Sequence, residues 1–176
     1  RVPSLPGAGG ASLALSWHLA SHCNESGGPG RLVVTDIDSE RLGHARSFLE
    51  AMGSGLPLEF LQCFRAEDND RIVENLTPGS LVVNATGLGK DAPGSPLTDA
   101  AVFPENGYAW EFNYRGDLVF VEQAERQKAS RGLTIVDGWR YFILGWSSVI
   151  GDVFNIEIPS SGPVFERLSD LARHVR

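Results

Sequence analysis

The sequence predicts an α/β fold, an open and mostly parallel sheet with helices on both faces. Three observations predict it. Apolar, β-branched runs alternate with stretches of helical periodicity along the 176 residues, the pattern of a parallel sheet with crossover helices. A glycine-rich turn at residue 7 opens directly into the first helical stretch. The next apolar run ends in an acid, Asp36.

Taken in order, Arg1 to Leu5 reads as the end of a strand, although Pro3 and Pro6 are poor residues for one. Ala11 to His22 is helical, with Leu13, Trp17 and either Leu19 or Ala20 on its inner face. Leu32 to Asp36 is a buried strand. Ser39 to Met52 has helical spacing, with Leu42, Ala45, Phe48 or Leu49, and Met52 inward. Asp38 or Ser39 caps that helix and Gly53 stops it. Leu58 to Phe64 is a short strand, Asp68 to Leu76 a short helix, and Ser80 to Ala85 another buried strand. Tyr108 to Phe112 and Leu133 to Val136 are strands on either side of a helix at Asp117 to Arg131, with Leu118, Val121 and Ala124 inward. Tyr141 to Phe154 is strongly apolar, and Val164 to Val175 is a terminal amphipathic helix.

Composition narrows the function classes. With 42% hydrophobic and 21% charged residues the chain is an ordinary globular one, and its length suits one domain. A net charge of −7 argues against nucleic acid and against anionic membranes. No apolar run reaches the roughly 18 residues of a membrane helix, and no signal peptide is visible. Cys23 and Cys63 match no metal or redox spacing and read as reduced thiols of a cytoplasmic protein. The four histidines fall on helices without informative partners, and no Cys/His/Asp cluster supports a metal.

Gly7-Ala8-Gly9-Gly10-Ala11-Ser12 fits G-x-G-x-x-[GAS]. The first glycine allows the tight strand-to-helix turn, the second lets a pyrophosphate approach the backbone, and the small third position lets the helix pack on the sheet. The helix N-terminus offers free N–H groups to the phosphates. Asp36, 26 residues after Gly10, stands where a Rossmann-type fold places its ribose-binding acid. A carboxylate there accepts from both ribose hydroxyls and repels a 2′-phosphate, so NAD is expected over NADP. The competing reading makes Asp36 or Asp38 a helix cap. An S-adenosylmethionine-dependent methyltransferase uses a similar turn and acid, so these features leave both cofactors open.

A second constellation separates them. Asn84-Ala85-Thr86-Gly87-Leu88-Gly89, then Ser95-Pro96-Leu97, resembles the Asn-Ala-Thr-Pro/Ser-x-Gly segment of the shikimate/quinate dehydrogenase family. Trp110-Glu111-Phe112-Asn113-Tyr114 resembles that family's Asp-x-x-Tyr strand, and Gly132 and Asp137-Gly138 continue the resemblance to about Phe154. The stretch from Thr35 through Asp36, Ile37 and Asp38 to Arg41 is similar to that of NAD-preferring members. NADP-preferring members carry an arginine near Asp36.

The resemblance implies a Rossmann-type nucleotide domain and hydride transfer between a nicotinamide and a ring hydroxyl of a small-molecule substrate. It implies that Asn84, Ala85, Thr86, Gly87 and Gly89 line the cofactor's passage toward the nicotinamide, with Tyr114 and Tyr141 on the substrate side. For Asn84 and Thr86 the alternative is turn formation through their own backbone. Three departures point to a divergent substrate. The family's Gln after Asp137-Gly138 is absent, Glu111 stands for its aspartate, and Lys90 stands for a methionine. Tyr141 and Trp146 either shape a different pocket or, as is commoner for an aromatic stripe, belong to the core. Lys90 is a candidate acid/base, with a solvated loop lysine as the simpler alternative.

In that family the catalytic Lys and Asp come from a substrate domain preceding the glycine turn, so neither is assigned to a position here. The expectation is therefore a dinucleotide-binding domain over residues 1–176, with helices from about 139 onward packing toward a missing substrate domain. A truncated or processed form of a longer enzyme and a stand-alone, non-catalytic NAD module are the alternatives. A homodimer is among the assemblies this permits.

Overall fold

The structure is a computed structural model, and it describes residues 1–174. It divides into two compact units, Arg1–Asp137 and the segment from Gly138 onward.

The first unit holds six strands in the order β3-β2-β1-β4-β5-β6, every neighbouring pair parallel. The strands are β1 (Ser4–Pro6), β2 (Leu32–Asp36), β3 (Leu58–Gln62), β4 (Leu81–Asn84), β5 (Tyr108–Glu111) and β6 (Thr134–Val136). Helices α1 (Gly10–Ser21), α2 (Ser39–Ala51), α3 (Ala66–Glu74) and α4 (Val119–Arg131) make four of the five crossovers, and β4 joins β5 without a helix. This is a doubly wound, Rossmann-type strand order.

Side chains alternate along each strand, so the sheet separates two apolar clusters. Val33, Val82 and Ala109 pack with Val73 of α3 and with Phe120 and Ala124 of α4. Leu32, Val34 and Val83 pack with Ala20 of α1 and with Leu42, Ala45 and Leu49 of α2. Both sheet faces are thus buried, which explains the unbroken apolar runs of β2 and β4.

Several local expectations change. The first strand starts at Ser4 and lies at the centre of the sheet between β2 and β4 despite its flanking prolines. Pro3 and Pro6 serve there as carbonyl acceptors, from Val33 N–H at 2.9 Å and Ala85 N–H at 3.0 Å. The inner face of α1 is Ser12, Ser16 and Ala20, at helical spacing i, i+4, i+8, while Trp17 is 48% exposed. Small side chains let this helix lie close on the sheet, and the Ser12 and Ser16 hydroxyls are buried there without a hydrogen-bond partner. On α2 the choice falls on Leu49, with Phe48 exposed. Phe120, Gln123 and Ala124 are the buried residues of α4, in place of Leu118 and Val121.

The second unit is built from α5 (Trp139–Phe154) and α6 (Gly162–Arg173). Trp139 donates its indole N–H to Ser169 Oγ at 2.8 Å. Arg140 lies over the Phe165 ring at 5.0 Å and pairs with Glu166 at 3.6 Å. The buried side chains of α5 are Trp139, Ile143 and Ser147. Tyr141 and Trp146 are surface residues, so the aromatic stripe is not core. Val175, the expected end of the last helix, lies outside the described residues. Among those described, no helix is long and apolar enough to cross a membrane.

Candidate functional site

At the carboxyl ends of β1 to β4 the first unit opens a groove of about 540 Å³. The strand order reverses between β1 and β4, and such switch points are where open α/β sheets take their ligands. Four segments wall the groove: the glycine turn, the end of β2 with Arg41, the residues after β3, and the loop after β4.

Gly7 follows β1 with φ +99°, and a Cβ there would sit 2.7 Å from the Ala85 carbonyl oxygen. Both the backbone angle and the approach of β4 therefore require glycine. Beside it, a Cβ on Gly9 or Gly10 would meet nothing within 4 Å, which leaves the mouth of α1 open. Gly9 is the N-cap and no side chain caps the helix. The first-turn N–H groups of Gly10, Ala11 and Ser12 precede the first intrahelical bond, from Leu13 N–H to Gly9 O at 2.9 Å. They form an anion-receptive end.

The two acids after β2 have different jobs. Asp38 is the cap of α2, its Oδ1 accepting the Glu40 N–H at 2.8 Å and the Arg41 N–H at 3.3 Å. Asp36 does not cap. Its Oδ2 accepts the Ala8 N–H at 2.7 Å and its Oδ1 the Asp38 N–H at 2.9 Å. The carboxylate thus ties the glycine turn to the β2 end and lines the groove beside Ile37 and Arg41. Arg41 also reaches Asp38 at 3.5 Å.

After β4, Asn84 is fully buried and its carboxamide is engaged on every side. Oδ1 accepts from Thr86 N–H at 3.0 Å and Thr86 Oγ1 at 2.6 Å. Nδ2 donates to Glu111 Oε2 at 2.7 Å and to the Leu88 carbonyl at 3.2 Å. Thr86 Oγ1 in turn accepts the Leu88 N–H at 3.1 Å. Asn84 and Thr86 therefore do form the turn, and Ala85, Thr86, Gly87 and Leu88 present it to the groove. Gly89, at φ +89°, closes the loop. Glu111, the last residue of β5, has no exposed surface. Burial pushes its carboxyl up to about 7, against the opposing pull of N–H bonds from Asn113, Asn84 and Phe112.

Of the expected site residues, Gly7, Gly9, Asp36, Ile37, Arg41, Ala85, Thr86 and Gly87 line this one groove. Ala8, Asp38 and Asn84 stand behind it as supports. Lys90 pairs with Asp91 at 3.1 Å, with its ammonium 5.9 Å from the centre of the Tyr114 ring. Tyr141 belongs to α5 of the second unit and is not a groove residue. Sequence reasoning missed the segment after β3. Cys63, Phe64, Arg65 and Asn69 complete the wall beside Asp36, and Phe64 is 71% exposed. Their only sequence signal is that they follow a strand, and the neighbour of that strand is set by topology.

No family model matches the chain, and no curated protein matches it in sequence. Solved structures do. Quinate dehydrogenase from Corynebacterium glutamicum in complex with NAD superposes with a TM-score of 0.70 at 19% identity, over 98% of this chain and 55% of that one. The chain has the fold of part of that dehydrogenase. Shikimate 5-dehydrogenase from Thermus thermophilus, in complex with shikimate, gives 0.62 at 23% identity, over 97% of this chain and 53% of that one. Mycobacterium tuberculosis shikimate dehydrogenase gives 0.60 at 14%, over 90% and 54%. The chain thus spans little more than half the length of these enzymes, and at such identities the likeness is one of fold.

Proposed function

We propose that this chain is the NAD-binding portion of a shikimate-dehydrogenase-like oxidoreductase with a divergent substrate. The observation that carries the reading is the groove at the β1/β4 switch point, which joins an uncapped helix N-terminus to a carboxylate at the end of β2. Its residues fit a dinucleotide. The space above Gly9 and Gly10 admits a pyrophosphate to the N–H groups of α1. Asp36 keeps lone pairs for ribose hydroxyls, and its charge opposes a 2′-phosphate, which supports NAD over NADP. Ile37 and Phe64, both strongly exposed at that end of the groove, supply the apolar surface an adenine ring stacks on. The 85–88 turn walls the opposite end. When bound, the nicotinamide supplies the hydride chemistry, while the chain positions it and excludes water.

The substrate, a small hydroxylated ring compound, and a cytoplasmic location with a homodimeric assembly are part of the same proposal. So is the packing of the helices from about 139 onward toward a separate substrate domain, which would bring the proton-transferring Lys and Asp. The all-parallel order β3-β2-β1-β4-β5-β6 supports a dinucleotide.

The test is a titration of the purified chain with NAD, NADP and S-adenosylmethionine, followed by melting temperature and tryptophan fluorescence. A ligand bound by the native state alone raises its stability. NAD should raise the melting point most. No shift with NAD at roughly millimolar concentration refutes the reading, and a response to S-adenosylmethionine alone reassigns the groove.

A further inference from the structure

Among the described residues, Glu111 is the one fully buried carboxyl, and the reading above leaves it without a role. It lies outside the groove yet controls one of its walls through two arms. In the first, Oε2 accepts from Asn84 Nδ2 at 2.7 Å, and the other side of that carboxamide holds Thr86 N–H and Oγ1. In the second, Oε1 accepts the Asn113 N–H at 2.8 Å, while Asn113 Nδ2 donates to the carbonyls of Thr86 at 3.1 Å and Leu88 at 3.0 Å. The 86–88 turn is therefore gripped at Thr86 N–H and Oγ1 through Asn84, and by its carbonyls through Asn113. Both grips end on one carboxyl group.

We propose that Glu111 is a positioning residue whose carboxylate, acting through Asn84 and Asn113, fixes the 86–88 turn and thereby sets the groove's affinity for a dinucleotide. The proposal rests on the reading of the groove as a dinucleotide site. The geometry needs an acceptor at both carboxyl oxygens, because Asn84 Nδ2 and Asn113 N are both donors. Protonation turns one oxygen into a hydroxyl, a poorer acceptor, and so weakens one arm. Burial raises the Glu111 carboxyl against the pull of its hydrogen bonds, with no ionised side chain among the causes. Of the charges on the loops after β4 and β5, Lys90 pairs with Asp91 and Arg115 lies over Tyr114. The grip therefore depends on the state of Glu111 itself.

Glu111→Gln separates positioning from mere bulk, since it keeps the shape and loses one acceptor. At pH 8, amide hydrogen exchange of Thr86, Leu88 and Asn113 should quicken by roughly tenfold or more in this variant. The amides of β2 should be unchanged. Exchange that stays at the wild-type rate at those three positions, or that rises equally across β2, overturns the proposal. The second measurement is NAD affinity by calorimetry from pH 6 to 8. Wild-type binding should tighten as pH rises through 7, Glu111→Gln should bind roughly tenfold more weakly at pH 8, and its pH profile should be flat. Glu111→Asp, which keeps the charge, should recover part of the pH dependence. A Gln variant with wild-type affinity and profile overturns the proposal. Failure of the wild-type chain to bind NAD at any pH instead overturns the reading of the groove, and the exchange result then decides the grip on its own.

Discussion

The buried carboxyl of Glu111 makes stability itself a function of pH. Its folded-state value is about 7 against an ordinary 4.5, so between those limits the native chain holds a proton that the unfolded chain has lost. Stability then falls as pH rises through this window, because the native state is the one that binds more protons. A shift of this size corresponds to about 3 kcal/mol, fully present below pH 4.5 and fully lost above pH 7. That is a large part of the roughly 5–15 kcal/mol typical of a domain. Glu111→Gln removes the titration while preserving the side-chain shape. Urea unfolding of the two proteins at a series of pH values isolates the contribution, since all other groups titrate in both and cancel in the difference. The wild type should gain about 3 kcal/mol on the variant as pH drops from about 8 to 4.5. A difference that stays constant across that range refutes the assignment of a perturbed carboxyl to Glu111.

Three further outcomes follow from the packing and the groove. Gly7→Ala should destabilise the first unit by about 3 kcal/mol or more, because its Cβ meets the backbone of Ala85 at 2.7 Å and φ is +99°; thermal unfolding near the wild-type midpoint contradicts this. Phe103→Ala, which removes a fully buried ring packed edge-on against Phe120 at 5.6 Å, should cost about 3–5 kcal/mol in a denaturant titration. Asp36→Asn should weaken NAD and narrow the gap between NAD and NADP affinities, read by calorimetry with both ligands. An unchanged ratio would move cofactor discrimination away from Asp36.

Much of the architecture is legible because both faces of the sheet are covered. Leu32–Asp36 carries the β-branched run Val33-Val34-Thr35 for that reason, and its bounds match those expected. The α1 face is misleading because apolar periodicity selects large side chains. There the helix turns Ser12, Ser16 and Ala20 to the sheet and leaves Trp17 outside. In the groove, the glycine turn and Asp36 are legible as a local pattern with fixed spacing. Spacing alone does not divide the roles of Asp36 and Asp38; the capping bonds to Glu40 and Arg41 do. Phe64 and Arg65 carry no local pattern to betray them, since they reach the groove only because β3 pairs with β2. Glu111 is visible as an acid in an apolar strand, but the two asparagines that grip it lie 27 residues upstream and two downstream.

The bonds that Asp36 already makes have a kinetic consequence. By holding Ala8 and Asp38 through their N–H groups, it keeps the glycine turn and the β2 end in one arrangement before any ligand arrives. A ligand meeting such a surface has little backbone to order, so less of its contact energy is spent on organisation. Association should proceed in a single phase whose rate rises linearly with ligand concentration, with no slow isomerisation behind it. The same carboxylate is then a strut in the free protein and a contact in the complex, and replacing it alters the encounter as well as the bound state.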